Sequence, residues 1–300
     1  MRTSVEYKNL VKEFRKHDFY KRYIGDANID NYKYIKVDYD KDSPQIGGLL
    51  DTANQLKDYL RLAYLLNLTL IDPQQPLEPS HDEGRKQNFI FRDYFDIESI
   101  KVEGQHVELV EEKNLPDLNS TLVVKSLVYP VHLPKNEKQN VNLFDLQKVL
   151  SKKNLPISFD PAEEYKTFSN DFVHKNKIEG CIHIRRGDRL ELGCPLMGIT
   201  PKEMDYGTRT ENILDFLCAK NAPKSIYVMT DMKEDDPIIK ELRVIKKYQF
   251  SFLYDFKELS LVKNQNNYKA FHLEDCIKNH ELVKFKSDRF EPVMFLKNKS

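Results

Sequence analysis

No stretch of this chain is apolar over the roughly 18 to 20 residues that a bilayer-spanning helix needs. The opening residues, MRTSVEYKNLVKEFRKHDFY, are charged throughout and lack the apolar segment of a secretory signal. The expected compartment is therefore the cytoplasm, or the lumen of the secretory pathway if an N-terminal anchor has been removed. Charge of one sign is missing too: Lys plus Arg and Asp plus Glu number 47 each. No global field draws the protein to nucleic acid or to an anionic membrane, so any anion it binds must be held locally. Cysteine is scarce, and Cys181, Cys194, Cys218 and Cys276 show no C-x-x-C or zinc-ligand spacing, so they are read as free thiols. His17, His81, His106, His132, His174, His272 and His280 suggest no shared metal site either. Tryptophan is absent, and the 17 Phe and 16 Tyr read mostly as core, with Tyr59, Tyr64 and Tyr206 open as residues that could line a sugar cleft. Internal repeats and low-complexity segments are lacking. The glycosylation triplets at Asn67, Asn119 and Asn298 are read as chance.

What is present describes a globular protein: 40% apolar and 31% charged residues in a chain of 300, enough for two domains with cores of their own. Strand and helix patterns alternate from about residue 33 onward, which favours parallel sheets covered by helices. In the first half a strand is predicted at Tyr34–Val37 and a helix from about Ala53 to Leu66, with Leu56, Leu60, Ala63 and Tyr64 on one face. A second strand follows at Leu68–Ile71. The pattern weakens between Gln74 and Asn119 and recovers in a strand at Leu122–Tyr129. After a helix at Pro161–Lys175, strands are expected at Ile178–Ile184, Ser225–Met229, Phe250–Tyr254 and Leu282–Phe285. Helices are expected at Thr208–Ala219, Pro237–Lys247 and Asn267–Asn279. The expected division is an acceptor-side α/β domain at 1–160 and a Rossmann-like nucleotide-sugar domain at 161–300.

The sharpest chemistry lies in His183-Ile184-Arg185-Arg186-Gly187-Asp188. Side chains alternate along a strand, so His183 and Arg185 point to one side and Ile182 and Ile184 to the other. Open α/β sheets hold ligands beyond the carboxyl ends of their strands, and His183 and Arg185 can meet one ligand there. Two adjacent guanidinium groups repel each other unless an anion or a carboxylate compensates them, and planar forks of donors match the oxygens of a diphosphate. Asp188 is read as an orienter of one arginine rather than as a metal ligand. A solvated basic turn, or an adhesion tripeptide in Arg186-Gly187-Asp188, leaves the histidine on the same strand face unexplained.

With these residues in view, the chain resembles the superfamily of α1,2-, α1,6- and protein O-fucosyltransferases, whose His-x-Arg-Arg-x-Asp signature is filled by His183, Arg185, Arg186 and Asp188. A second stretch, Gly47-Gly48-Leu49-Leu50-Asp51-Thr52-Ala53-Asn54-Gln55, is similar to that family's Gly-Gly-x-x-Asn-Gln loop, with extra residues before Asn54. A third, Ile226 to Asp231, is similar to its strand ending in Thr/Ser-Asp. The resemblance implies a GT-B-like fold, in which two Rossmann-type domains face a central cleft. It also implies a GDP-fucose donor, inversion at the anomeric carbon, a glycan or glycoprotein acceptor, and no metal or other cofactor. Carried over by position, Arg185 stabilises the β-phosphate and His183 contacts the diphosphate or ribose. Gly47, Gly48 and Asn54 reach the donor from the first domain, while Thr230 and Asp231 lie near the nucleotide. The acid that reads guanine corresponds to Glu274 or Asp275, and the donor loop to the segment containing Phe285 and Ser287.

The chemistry can be stated without the family. Rupture of the bond between a sugar and a nucleoside diphosphate builds negative charge on the leaving oxygens, and a cation aimed at them lowers the barrier. Arg185 is the expected catalytic cation. Asp51 is the candidate base for the acceptor hydroxyl, against the plainer reading of a solvated turn residue. Asp38-Tyr39-Asp40 matches the Asp-x-Asp pattern that holds a divalent metal in another class of glycosyltransferase. Lys41 and Asp42 continue the charged run, which favours a solvated loop. The expected activity is an inverting fucosyl transfer. The alternatives are a related enzyme with another nucleotide sugar and a binding protein of the same fold.

Overall fold

The computed structural model describes residues 5–39, 49–73, 75–76, 88–115, 118–127, 142–151, 155–187, 189–193 and 199–287. The chain divides into two compact units, Met1–Ala162 and Glu163–Ser300. No described helix is long and apolar enough to cross a membrane.

In the first unit, helix α1 (Val5–Lys16) precedes strand β1 (Tyr34–Asp38), helix α2 (Leu49–Leu66) and strands β2 (Thr69–Ile71), β3 (Leu109–Val110) and β4 (Thr121–Lys125). The sheet order is β3-β2-β1-β4, and every pairing is parallel. Tyr34 pairs with Thr69 on one side and Thr121 on the other. Helix α2 is enclosed rather than one-faced: Tyr59, Leu60, Leu62, Ala63, Tyr64, Leu65 and Leu66 are all buried. It begins at Leu49, not near Ala53, because each residue added to a formed helical nucleus gains a hydrogen bond and Leu is a strong helix former. The weakly patterned stretch before β4 contains two-residue strands such as Lys101–Val102, which pairs antiparallel with Gln105–His106 and Ile157–Ser158. Strands that short leave no period to detect.

The second unit runs α3 (Glu163–Asn176), β5 (Gly180–Ile184), α4 (Pro201–Gly207), α5 (Thr210–Ala219), β6 (Ser225–Thr230), α6 (Pro237–Arg243), β7 (Gln249–Phe252), α7 (Lys257–Gln265), α8 (Asn267–Asn279) and β8 (Phe285–Ser287). Its sheet, β7-β6-β5-β8, is again parallel throughout. Strands covered on both faces should be apolar nearly without break, and Ile226, Tyr227, Val228 and Met229 of β6 are all buried. On one face Ile182, Ile184, Ile226 and Val228 pack with Ile213 and Leu217 of α5 and Ile239 and Leu242 of α6. On the other, the Tyr227 ring meets Phe172 of α3 edge-on at 5.8 Å.

Both sheets place their strands in the order third, second, first, fourth. The chain therefore reverses its direction of travel at β1 and again at β5, and such switch points are where open parallel sheets hold ligands. Helices α2, α3 and α5 also end alike, in Asn67, Lys177 and Asn221 at positive φ (59°, 51° and 50°). The next amide bonds back to Ala63, Val173 and Leu217 respectively. This is the Schellman termination, which turns the chain sharply toward the strand that follows. Several expectations change in this unit. Phe285 and Ser287, expected in a donor loop, stand in edge strand β8 opposite Gly180 and Ile182, and Ser287 is buried. Helices α4 and α7 went unpredicted, and α6 stops at Arg243 rather than Lys247.

Candidate active site

Strand β5 carries the His-x-Arg-Arg residues out of the sheet at its switch point. Ile182 and Ile184 face the α5–α6 layer. Half-buried His183 lies on the other face, its ring 6.4 Å from that of Phe271 in α8. A crossover helix runs opposite to the strands it joins, and two contacts fix the level of α8. Phe271 lies beside His183 near the carboxyl end of β5, while Glu274, one turn later, reaches Tyr227, which pairs with Cys181 lower in the sheet. The first turn of α8, capped by the Asn266 side chain accepting from Lys269 N at 3.0 Å, therefore points toward the sheet end where half-buried Arg185 emerges.

Arg186 does something different. Its guanidinium turns into the layer of α4, α5 and α6: Nη2 lies 2.8 Å from Asp205 Oδ1, and Nη1 donates to Thr208 Oγ1 at 2.6 Å. Thr208 passes the connection on by donating to the Met204 carbonyl at 2.8 Å. Asp236, whose carboxylate caps α6 through Ile238 N, stands 3.8 Å from Arg186 Nε, a nitrogen with no hydrogen-bond partner among the described residues. Donation from Arg209, then from Arg186, holds the Asp205 carboxyl below its usual range. The expectation that both guanidinium groups face one anion is corrected accordingly. Carboxylates of the protein itself compensate Arg186, because its side chain falls on the Ile182–Ile184 side of the strand.

The turn beyond β5 is held from the neighbouring strand. Asp231, just past β6, accepts from the backbone amides of Arg186 at 2.7 Å and Gly187 at 3.0 Å through one oxygen, Oδ1. A Cβ at position 187 would stand 3.1 Å from Asp231 Oδ2, so glycine lets the clamp close. Thr230, half-buried, accepts from Met232 N at 3.2 Å. Of the Thr-Asp pair expected near a nucleotide, Asp231 thus shapes the turn that carries the arginines.

Glu274 and Asp275, the expected base readers, are committed elsewhere. Ala270, Leu273, Glu274 and Ile277 are among the buried residues of α8. Glu274 accepts there from the Tyr227 hydroxyl at 2.7 Å, and burial pushes its carboxyl up to about 7. Asp275 pairs with Lys278 at 2.9 Å. The helical spacing of 274 with 270 and 277, not its charge, decided where this acid went.

Gly47, Gly48 and Asp188 lie outside the described residues, as does Asp40 of the Asp-x-Asp run. Asp51 and Asn54 belong to the first turns of α2 rather than to a loop. Asn54 is exposed and accepts from Lys57 Nζ at 3.4 Å. Its neighbour Gln55 is buried and donates to the Leu127 carbonyl at 2.7 Å, while Leu127 N donates to the Tyr59 hydroxyl at 2.7 Å. The Asn-Gln pair therefore contributes an anchor for the segment after β4. Among the described residues no three His, Cys, Asp or Glu side chains gather as a metal site.

Asp205, Thr208, Tyr227 and Gln55 were not foreseen. One signal was available for the first two: Thr200-Pro201-Lys202-Glu203 is a capping box with proline at the first helical position, and the structure forms it in full. A helix starting there puts Asp205 one turn in.

No family model matches the sequence, and no curated protein matches it. Among solved structures, the chain is similar to POFUT1 in complex with GDP-fucose. In one crystal form the identity is 13% over 87% of this chain and 97% of that chain, with a TM-score of 0.46. In another it is 12% over 87% and 98%, with a TM-score of 0.49. POFUT1 in complex with GDP is similar at 13% identity over 87% and 99%, with a TM-score of 0.48.

Proposed function

We propose that this protein is an inverting glycosyltransferase that moves L-fucose from GDP-fucose to a hydroxyl of a glycan or glycosylated acceptor, without a metal ion. The observation that carries the reading is the position of His183 near the carboxyl end of β5 and of Arg185 just beyond it, on the strand at which the parallel sheet reverses order. A nucleoside diphosphate fits that crevice on three physical grounds: an arginine fork for its oxygens, a histidine beside it, and the positive end of a capped helix directed the same way.

Arg185 neutralises the charge that gathers on the β-phosphate as the bond to the anomeric carbon breaks, and His183 holds the diphosphate or ribose. Arg186 acts through position: its ion pair with Asp205 and the Asp231 clamp fix the turn from which Arg185 projects. Asp51 is the proposed base for the acceptor hydroxyl.

One observation favours a second reading, in which the donor carries a different base. Glu274 is buried against Tyr227 and Asp275 is paired with Lys278, so neither is disposed to read guanine. Thermal-shift measurements with GDP, UDP, ADP and GDP-fucose, each with and without a chelator, separate the two. GDP and GDP-fucose should stabilise the protein, and the chelator should make no difference. Stabilisation by UDP plus a divalent metal, and not by GDP, would move the assignment to the second reading. Tight GDP binding without hydrolysis or transfer on any acceptor would mark a binding protein.

A further inference from the structure

Helices that cross between parallel strands run back against them, so each helix-to-strand connector of the second unit lies at the amino end of its sheet, away from Arg185. There are four: 177–179 before β5, 220–224 before β6, 244–248 before β7 and 280–284 before β8. Backbone bonds hold them at one level. Gln249 N donates to the Lys224 carbonyl at 2.7 Å, Glu179 N to the Ser225 carbonyl at 3.2 Å, and Lys284 N to the Glu179 carbonyl at 2.8 Å. Together the connectors carry Lys177, Lys220, Lys224, Lys246, Lys247 and Lys284 against two acids, Glu179 and Glu281. In a chain whose basic and acidic residues balance at 47 each, that excess is local.

All six lysines are exposed, and none forms an ion pair among the described residues. Lys247 has neutral neighbours, Cys218 Sγ at 3.3 Å and the Tyr248 ring. Large apolar side chains protrude among these charges: Val244, 75% exposed, stands two residues before Lys246, and Leu282, 42% exposed, two before Lys284. A face so charged calls for an anionic partner, and its composition selects the kind. Lysines are compact point charges that answer a diffuse negative field, whereas a nucleic acid is read by arginine forks and stacked aromatic rings. Arg243, beside Val244, is taken by Asp255 at 2.6 Å, and Tyr248 is buried. The lysines are spread along the end of a four-stranded sheet, about 14 Å across. Protruding aliphatic groups gain from the headgroup boundary of a bilayer and gain nothing from a phosphate backbone.

We infer that the amino end of the second unit's sheet docks on an anionic lipid bilayer, with these lysines against the headgroups and Val244 and Leu282 entering between them. The opposite end of the sheet, where Arg185 emerges, stays open in that orientation. The inference rests on the topology and charge of this unit and does not need the nucleotide reading.

The chain has no tryptophan, so Val244→Trp in the full chain supplies a fluorescent reporter at the contact itself. Its emission should move to shorter wavelength with vesicles of phosphatidylcholine mixed with phosphatidylserine, and stay put with phosphatidylcholine alone. High salt should reverse the shift. Vesicle flotation of the unlabelled chain measures partition directly. Lys224→Gln and Lys246→Gln should each lower it about fivefold, the usual weight of one lysine at an anionic surface. Lys101→Gln, the same charge change at an exposed site of the first unit, should leave it unchanged. GDP binding measured on the same samples should not vary among these variants, and its absence throughout would count against the nucleotide reading alone. No emission shift with phosphatidylserine, equal binding to phosphatidylcholine, or an equal effect of Lys101→Gln would overturn the inference. Tighter binding to a DNA duplex than to the anionic vesicles would overturn it too, and assign the face to nucleic acid.

Discussion

Two arginines stand side by side after β5, and the structure ties one of them to the protein's own carboxylates. Arg186 is an internal residue, tied to Asp205 and Thr208, whereas Arg185 is the candidate for the leaving diphosphate. Arg185→Ala should cut hydrolysis of the nucleotide sugar by about 100- to 1,000-fold, the usual cost of one transition-state donor. Asp205→Ala should show first as lost stability, because it removes the main carboxylate from a nearly buried guanidinium. Breaking a fully buried pair costs about 3 to 5 kcal/mol. Asp205 is 39% exposed and solvent screens it, so a loss of about 1 to 3 kcal/mol in urea unfolding is the expected result. The two roles were only half legible in the sequence. Alternation set His183 on the face opposite Ile182 and Ile184, as found for the strand itself. The partners of Arg186 come from residues 205, 208 and 236, which no local pattern links to position 186.

The elements were more legible than the site, where their periods were long enough to read. Helix α8 matches its expected bounds, Asn267 to Asn279, while the two-residue strands near residue 100 left no trace in the hydropathy. Reading Glu274 from its charge alone put it at a ligand; the helical period of α8 puts it under the sheet. That burial has a consequence for pH. An unfolded glutamate ionises near 4.5 and the folded one near 7, so in that window the folded state binds more protons and stability falls as pH rises. The loss should be on the order of 3 kcal/mol. Unfolding of Glu274→Gln, which keeps an acceptor for Tyr227, should show a flatter profile between pH 5 and 8 than the wild type. Identical profiles would place the pH dependence elsewhere. The helix ends give a second test. Lys177 holds φ at 51° without the freedom of glycine, so Lys177→Gly should raise the unfolding free energy by about 0.5 to 1 kcal/mol, read from denaturant midpoints.

At the scale of the molecule, the alternation of strands and helices was enough to expect two parallel α/β units. It did not reveal that both order their strands third, second, first, fourth. That order depends on which strands pair across long sequence separations, such as Tyr34 with Thr121 and Gly180 with Phe285. It also makes the end of β5 a switch point and so gives the motif its setting. The most direct measurement is a crystal structure of the protein with GDP. The expected result is a β-phosphate oxygen within about 2.7 to 3.1 Å of the Arg185 guanidinium, with Arg186 still on Asp205. GDP bound away from the end of β5, or held by an Arg186 that has left Asp205, would contradict it.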